Sequence, residues 1–178
     1  MTTDARDDLV VARIRQAIAD AVARLVGEAV PDEALAAFVP PRRVFLLPRK
    51  AVMVPLGRVW RLGVFLLDRQ GVLYQAGTTT RAVPPGHPGH TAASTEKRRV
   101  YRAAAQRGPF AAGETVNFHA RVIDLDPGSL RIADGPLFLS EGGALVRWGP
   151  PGGHETAWPF EAYLAERIEF LRHPPEGA

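Results

Sequence analysis

Cysteine is absent from the 178-residue chain, which excludes disulfide frameworks, thiolate zinc sites, iron–sulfur clusters and a cysteine nucleophile. Lysine is nearly absent as well: of 22 basic residues only Lys50 and Lys97 are lysine. Together with abundant alanine, 17 glycines and 16 prolines, this bias reads as the imprint of a high-GC bacterial genome. Arginine content by itself therefore carries no mechanism. No apolar run approaches the ~18 residues that a membrane helix needs, and the opening MTTDARDD lacks the basic-then-apolar order of a secretory leader. A cytoplasmic protein is expected. With 46% hydrophobic and 23% charged residues, the composition is that of a folded chain, and its length predicts a single α+β domain over residues 1–178.

The net charge of +3 conceals segregation along the chain. Residues 1–40 hold four basic and seven acidic side chains, residues 41–110 thirteen and two, and residues 111–178 five and ten. A stretch of that kind marks a contact surface for an anion, a nucleotide or a nucleic acid, unless the acidic ends neutralise it within the fold.

Apolar residues at Val10, Val11, Ile14, Ile18, Val22, Leu25 and Val26 describe one face of a helix starting at Asp7-Asp8, where the unpaired N–H groups favour acidic side chains. Pro31-Asp32-Glu33 opens a second helical turn that ends before Pro40, so residues 1–40 read as helical. From 42 to 83 the period shortens to that of strands, at Arg43–Leu47, Ala51–Leu56, Arg58–Leu67 and Val72–Gly77. Asp68-Arg69-Gln70-Gly71 predicts a hairpin, and Pro55, which cannot donate to a ladder, predicts an edge or a bulge. Residues 84–93, with Pro-Pro-Gly-His-Pro-Gly-His, predict an exposed loop. A basic helix is expected over 94–107, with Ser94 as its cap and Gly108-Pro109 as its stop.

A second strand group is expected over 115–149. It opens with Val116, Phe118, Ala120 and Val122 alternating with Asn117, His119 and Arg121, continues through a turn at Asp126-Pro127-Gly128, and includes a strand at Leu130–Ala133. A C-terminal helix over 159–173 carries Phe160, Tyr163, Leu164, Ile168 and Leu171 as its apolar stripe. No strand–helix–strand rhythm appears, so the sheet should be largely antiparallel. About eight strands would make one curled sheet or incomplete barrel, with N-terminal, central and C-terminal helices against it.

Three groups of residues carry candidate chemistry. Ser94-Thr95-Glu96-Lys97 matches Ser-x-x-Lys, in which a lysine amine of lowered pKa takes the serine proton and the serine attacks an amide or ester carbonyl. The supporting Lys-Thr-Gly and Ser-Asp-Asn motifs are missing. Lys97, Arg98, Arg99 and Arg102 gather on the same helix, with Arg98 and Arg102 four apart on one face, near unpaired N–H groups that suit a phosphate. Asn117, His119 and Arg121 form the polar face of their strand and would line a pocket if the sheet curls. His87 and His90 lie three apart in the loop, but no His-Glu pairing or second histidine pair accompanies them, so solvated side chains are expected and no metal or other cofactor is implied.

VWRLGVFLLDRQGVLYQAG, GETVNFHARVIDL, ALVRWGP and FEAYLAERIEFLRHPPEGA together resemble a family of short actinobacterial proteins that carry the label glutaminase. The resemblance implies an amidohydrolase. Its serine type could be placed only on Ser94 and Lys97, and its amidotransferase type would need a cysteine. The residues themselves favour a non-catalytic binding or interaction protein whose basic middle contacts an anionic ligand or protein partner, nucleic acid being a further, less favoured partner. A small serine hydrolase or amidohydrolase using Ser94 and Lys97 is the alternative.

Overall fold

The computed structural model describes residues 3–44, 47–85, 93–148 and 156–174. It is an α+β protein. The chain runs α1 (Thr3–Gly27), β1 (Glu33–Val39), β2 (Arg42–Val44), β3 (Leu47–Arg49), β4 (Val52–Leu62) and β5 (Phe65–Asp68). It continues through β6 (Leu73–Gln75), β7 (Thr78–Arg81), α2 (Ala93–Gln106), β8 (Thr115–Phe118), β9 (Arg121–Val122) and α3 (Pro127–Arg131). The last elements are β10 (Leu137–Ser140), β11 (Gly143–Trp148), β12 (Thr156–Pro159) and α4 (Phe160–Arg172). These residues fall into two compact units, each made of stretches distant in sequence. The larger takes Met1–Pro31, Trp60–Gln75 and Arg121–Ala178; the smaller takes Asp32–Val59 and Ala76–Ala120. Among the described residues no helix is long and apolar enough to cross a membrane.

In the larger unit, most of the expected stripe of α1 is buried: Val10, Val11, Ile14, Ile18 and Leu25 enter a core with Trp60, Phe65, Phe160, Tyr163 and Ile168, while Val22 is partly buried and Val26 is exposed. The helix begins at Thr3, ahead of the expected start, which leaves Asp7 within it. There Asp7 is buried and accepts two hydrogen bonds of 2.6 Å from Arg131. At the other end Val30 N–H donates to Leu25 C=O and Ala29 N–H to Val26 C=O, a Schellman pairing with Ala29 at φ +50° in the place glycine usually takes.

The Asp68 hairpin forms as expected. The carboxylate accepts from the N–H groups of Gln70 and Val72 and from the Tyr74 hydroxyl, and Gly71 adopts φ +82°. Two expectations in this unit are corrected. Arg58–Leu67 is not one strand, because Gly63 turns the chain at φ +67° between β4 and β5. Leu130–Ala133 is not a strand either. Asp126 accepts from Ser129 N–H at 2.9 Å, Pro127 supplies the first helical φ, and the short helix α3 buries Leu130.

In the smaller unit the strands run in the order β7-β8-β1-β4, with β1 parallel to β8 and the other pairs antiparallel. The expected second helix over 31–40 is instead strand β1. Its Glu-Ala-Leu-Ala-Ala composition favours a helix locally, but ladders on both sides override that preference. The buried Ala34 and Ala36 join Ala104, Ala105 and Tyr101 of α2 in one cluster. Pro55 sits at the register shift, where Leu35 pairs with Gly57 and Ala36 with Pro55, leaving Leu56 unpaired and exposed.

Arg43–Leu47 is likewise not one strand, since β2 and β3 pair with each other as a separate two-stranded ribbon. The three-stranded sheet β10-β11-β12 is separate too, so the strands do not form one curled sheet. Residues 86–92 of the expected loop lie outside the described residues.

Candidate anion-binding surface

Folding sorts the charges further than the linear tally does. The smaller unit holds eleven basic and four acidic residues, a balance of +7; the larger holds eleven and fifteen, a balance of −4. Every carboxylate of the smaller unit has a partner inside it. Arg58 donates to Asp32 Oδ1 at 2.8 Å, to the Asp32 carbonyl at 2.7 Å and to Glu114, which also accepts from Ala111 N–H. Glu96 takes two hydrogen bonds from Arg99, at 2.8 and 2.7 Å, and Glu33 accepts from the buried Asn117 amide at 2.7 Å.

The pairing shows in the acidities. The Arg58 hydrogen bond holds the Glu114 carboxyl below its usual value against an opposing effect of burial, and Arg99 does the same for Glu96. For Arg58, burial works against the charged form, but the bonds to Glu114 and Asp32 outweigh it and its pKa rises.

With the acids used up, Arg42, Arg43, Arg49, Lys50, Arg81, Lys97, Arg98 and Arg102 are exposed and have no carboxylate partner among the described residues. Two elements carry most of them. On the β2–β3 ribbon, Arg42 is the register partner of Arg49 and Arg43 of Pro48, with Lys50 next in the chain. A depression of about 210 Å³ lies between Pro41, Arg42, Arg43, Pro48 and Arg49. On α2, Lys97, Arg98 and Arg102 face water. The end of this helix is tied to the residue after Lys50: Arg107 Nε donates to the Ala51 carbonyl at 2.7 Å. Gly108 follows against the Met53 carbonyl, where a side chain would collide.

The residues singled out from sequence separate. Ser94 lies in the first turn of α2, one residue inside the helix and not at its cap, and is exposed. The Lys97 ammonium lies 5.9 Å from the Tyr101 ring centroid, one turn further along the helix, and no hydrogen bond joins Ser94 to Lys97 among the described residues. Arg99 is committed to Glu96. Asn117, His119 and Arg121 do not share a strand face. Asn117 is fully buried in β8, and His119 turns the chain at φ +56° and packs its ring against Phe38, Tyr101 and Phe118. Arg121 belongs to β9 of the larger unit, where it donates to Gln75 at 2.9 Å. His87, His90 and His154 lie outside the described residues.

Sequence reasoning passed over Arg42, Arg43, Arg49 and Lys50 as site residues. Their signal was available: four bases and no acid in residues 41–50, punctuated by two prolines.

Two hollows lie among the described residues of the larger unit. One of about 230 Å³ is lined by Gln75, Arg121, Asp124, Ser129 and Asp134, with Ser129 Oγ donating to Asp124 at 2.8 Å. It mixes both charges and is smaller than typical ligand cavities. The other, about 380 Å³, is a groove between α1 and the Asp68 hairpin, lined by Ile18, Val22, Leu125, Arg15 and Arg69. Among the described residues no three His, Asp or Glu side chains are grouped as a metal ion would require. No protein-family model, curated protein or solved structure matches the chain.

Proposed function

We propose that the chain is a non-catalytic binding protein whose smaller unit engages an anionic partner through its arginines. One observation carries this reading: eight exposed cations with no carboxylate partner among the described residues, on a unit whose four acids are all engaged elsewhere. Guanidinium groups form fork-like hydrogen bonds to phosphate or carboxylate oxygens, and uncompensated positive charge draws such groups in from a distance.

Chromatography on immobilised heparin tests it. The protein is expected to be retained at low salt and released steeply as salt rises, and Arg98→Ala with Arg102→Ala is expected to elute earlier. Retention independent of salt, or untouched by those substitutions, overturns the reading. An amide panel including glutamine is expected to release no ammonia.

A further inference from the structure

Resting on that reading, we propose that the partner is double-stranded DNA, held along its phosphate backbone by the β2–β3 ribbon together with α2. The first argument is extent. A lone phosphate or carboxylate is satisfied by one or two arginines, whereas here the free cations occupy a ribbon and a helix. From Lys97 to Arg102 the free cations of the helix span about 7.5 Å at 1.5 Å per residue, and the ribbon adds four more. A ligand that meets both elements is a polymer, and duplex DNA presents one negative charge per roughly 1.7 Å of axis.

The second argument is the join. The Arg107–Ala51 hydrogen bond and the seat of Gly108 on the Met53 carbonyl fasten the C-terminal end of α2 beside Lys50, which holds ribbon and helix in one unit with Arg102 about 7.5 Å along the helix from that end.

The third is shape. The major groove of B-DNA, about 12 Å wide, admits a two-stranded ribbon, and here the ribbon sets Arg42 directly across from Arg49 with no carboxylate between them. The deep, narrow major groove of an RNA duplex does not admit one. Single strands are gripped by stacking on exposed aromatic rings. Among the described residues of this unit no Phe, Tyr or Trp is exposed: Tyr101 and Phe118 are buried, and Phe38 and Phe110 are partly buried against them.

Fluorescence anisotropy of the full chain with a labelled DNA duplex of about 20 base pairs, two helical turns, tests the proposal. Six phosphate contacts, from Arg42, Arg43, Arg49, Lys50, Arg98 and Arg102, predict that log K falls with log salt at a slope of about −5. Affinity should then drop roughly a thousandfold between about 50 and about 200 mM salt. Arg42→Thr with Arg49→Thr is expected to shallow the slope by about two, and so is Arg98→Ala with Arg102→Ala, while Arg13→Ala on the larger unit leaves it unchanged. All these positions are exposed, and an unaltered circular dichroism spectrum confirms folding.

Equal affinity for the single strand or for an RNA duplex of the same sequence overturns the DNA proposal, and so does a slope that ignores both pairs of substitutions. In those cases heparin retention still upholds the broader reading. Failure to bind any of these polyanions at about 50 mM salt removes both together.

Discussion

The two units solve opposite problems. Among the described residues the larger has a core cluster of 21 buried apolar residues, only two of them alanine, and several of its arginines are spent on structure: Arg131 on Asp7, Arg172 on Glu28 and Glu169, Arg24 on Glu169. The smaller has ten buried core residues among those described, six of them alanine, yet it carries the excess positive charge. Alanine buries little area, and like-charge repulsion works against compaction. A unit shaped for stability alone would place its unpaired cations elsewhere. That the thinner core bears them is the physical ground for assigning them to binding.

The largest test of this contrast removes a ring from each core. Phe118→Ala in the smaller unit and Trp60→Ala in the larger are each expected to cost about 3–5 kcal/mol. Both side chains are buried, and Trp60 also donates to the Val30 carbonyl at 2.9 Å. Hydrogen exchange read by mass spectrometry is expected to show protection lost across 32–59 and 76–120 in Phe118→Ala, while α1 and α4 keep theirs. In Trp60→Ala the loss should fall on α1, β5 and α4. Uniform loss in either variant would mean that the chain unfolds as one cooperative body.

A smaller effect belongs to the buried Asn117 amide. Asn117 bonds Glu33 at 2.7 Å and the Ala34 carbonyl at 3.2 Å, so Asn117→Ala strands both acceptors and is expected to cost about 1–3 kcal/mol. Urea titration measures it. A neutral result would show that water replaces the amide and that the β1–β8 pair needs no side-chain clasp.

Acid separates the units by sign. The folded state holds Glu114 and Glu96 below their ordinary 4.5, so their contribution is complete above that value and is lost as pH falls through the folded pKa of each. Over the same interval the smaller unit, already at +7, only gains positive charge, whereas the larger moves from −4 through neutrality. Melting followed from pH 6 to pH 3 with exchange detection is expected to find the smaller unit lost at the higher pH. Arg58→Met, which removes the cation between Asp32 and Glu114, is expected to flatten the dependence below about pH 4.5. A wild-type profile in which the larger unit opens first would contradict the charge argument.

Local chemistry was legible in the sequence wherever a turn or stripe defined itself: the Asp68 hairpin, the Pro55 irregularity, the α4 stripe and the α1 face up to Leu25 all appear, with Val26 alone left exposed on that face. What misled was context. Glu33–Val39 looks helical until β4 and β8 flank it, and nothing within seven residues announces a partner more than 75 positions away. The alternation from Val116 to Val122 persists in sequence but breaks in space at His119, whose positive φ no histidine advertises. Asp126-Pro127 was a helix start read as a turn, because the two share their first residues. The charge segregation was visible, but which cations pair could not be read, since Arg58 finds Glu114 only through the fold.

The smallest effect is also the sharpest form of the comparison. Exposed side chains opposed across a ribbon disfavour pairing when their charges match, so Arg42→Thr with Arg49→Thr should leave the melting temperature unchanged or raise it by roughly a degree or two. Threonine keeps the strand preference, which removes propensity as an explanation. Arg131→Met is expected to do the reverse: it leaves Asp7 buried without its partner and lowers the melting temperature, while heparin elution stays where it was. Melting and heparin elution on the same two proteins therefore cross. If the ribbon substitutions instead lower stability as Arg131→Met does, those arginines are holding the fold, and the positive surface loses its claim to a partner.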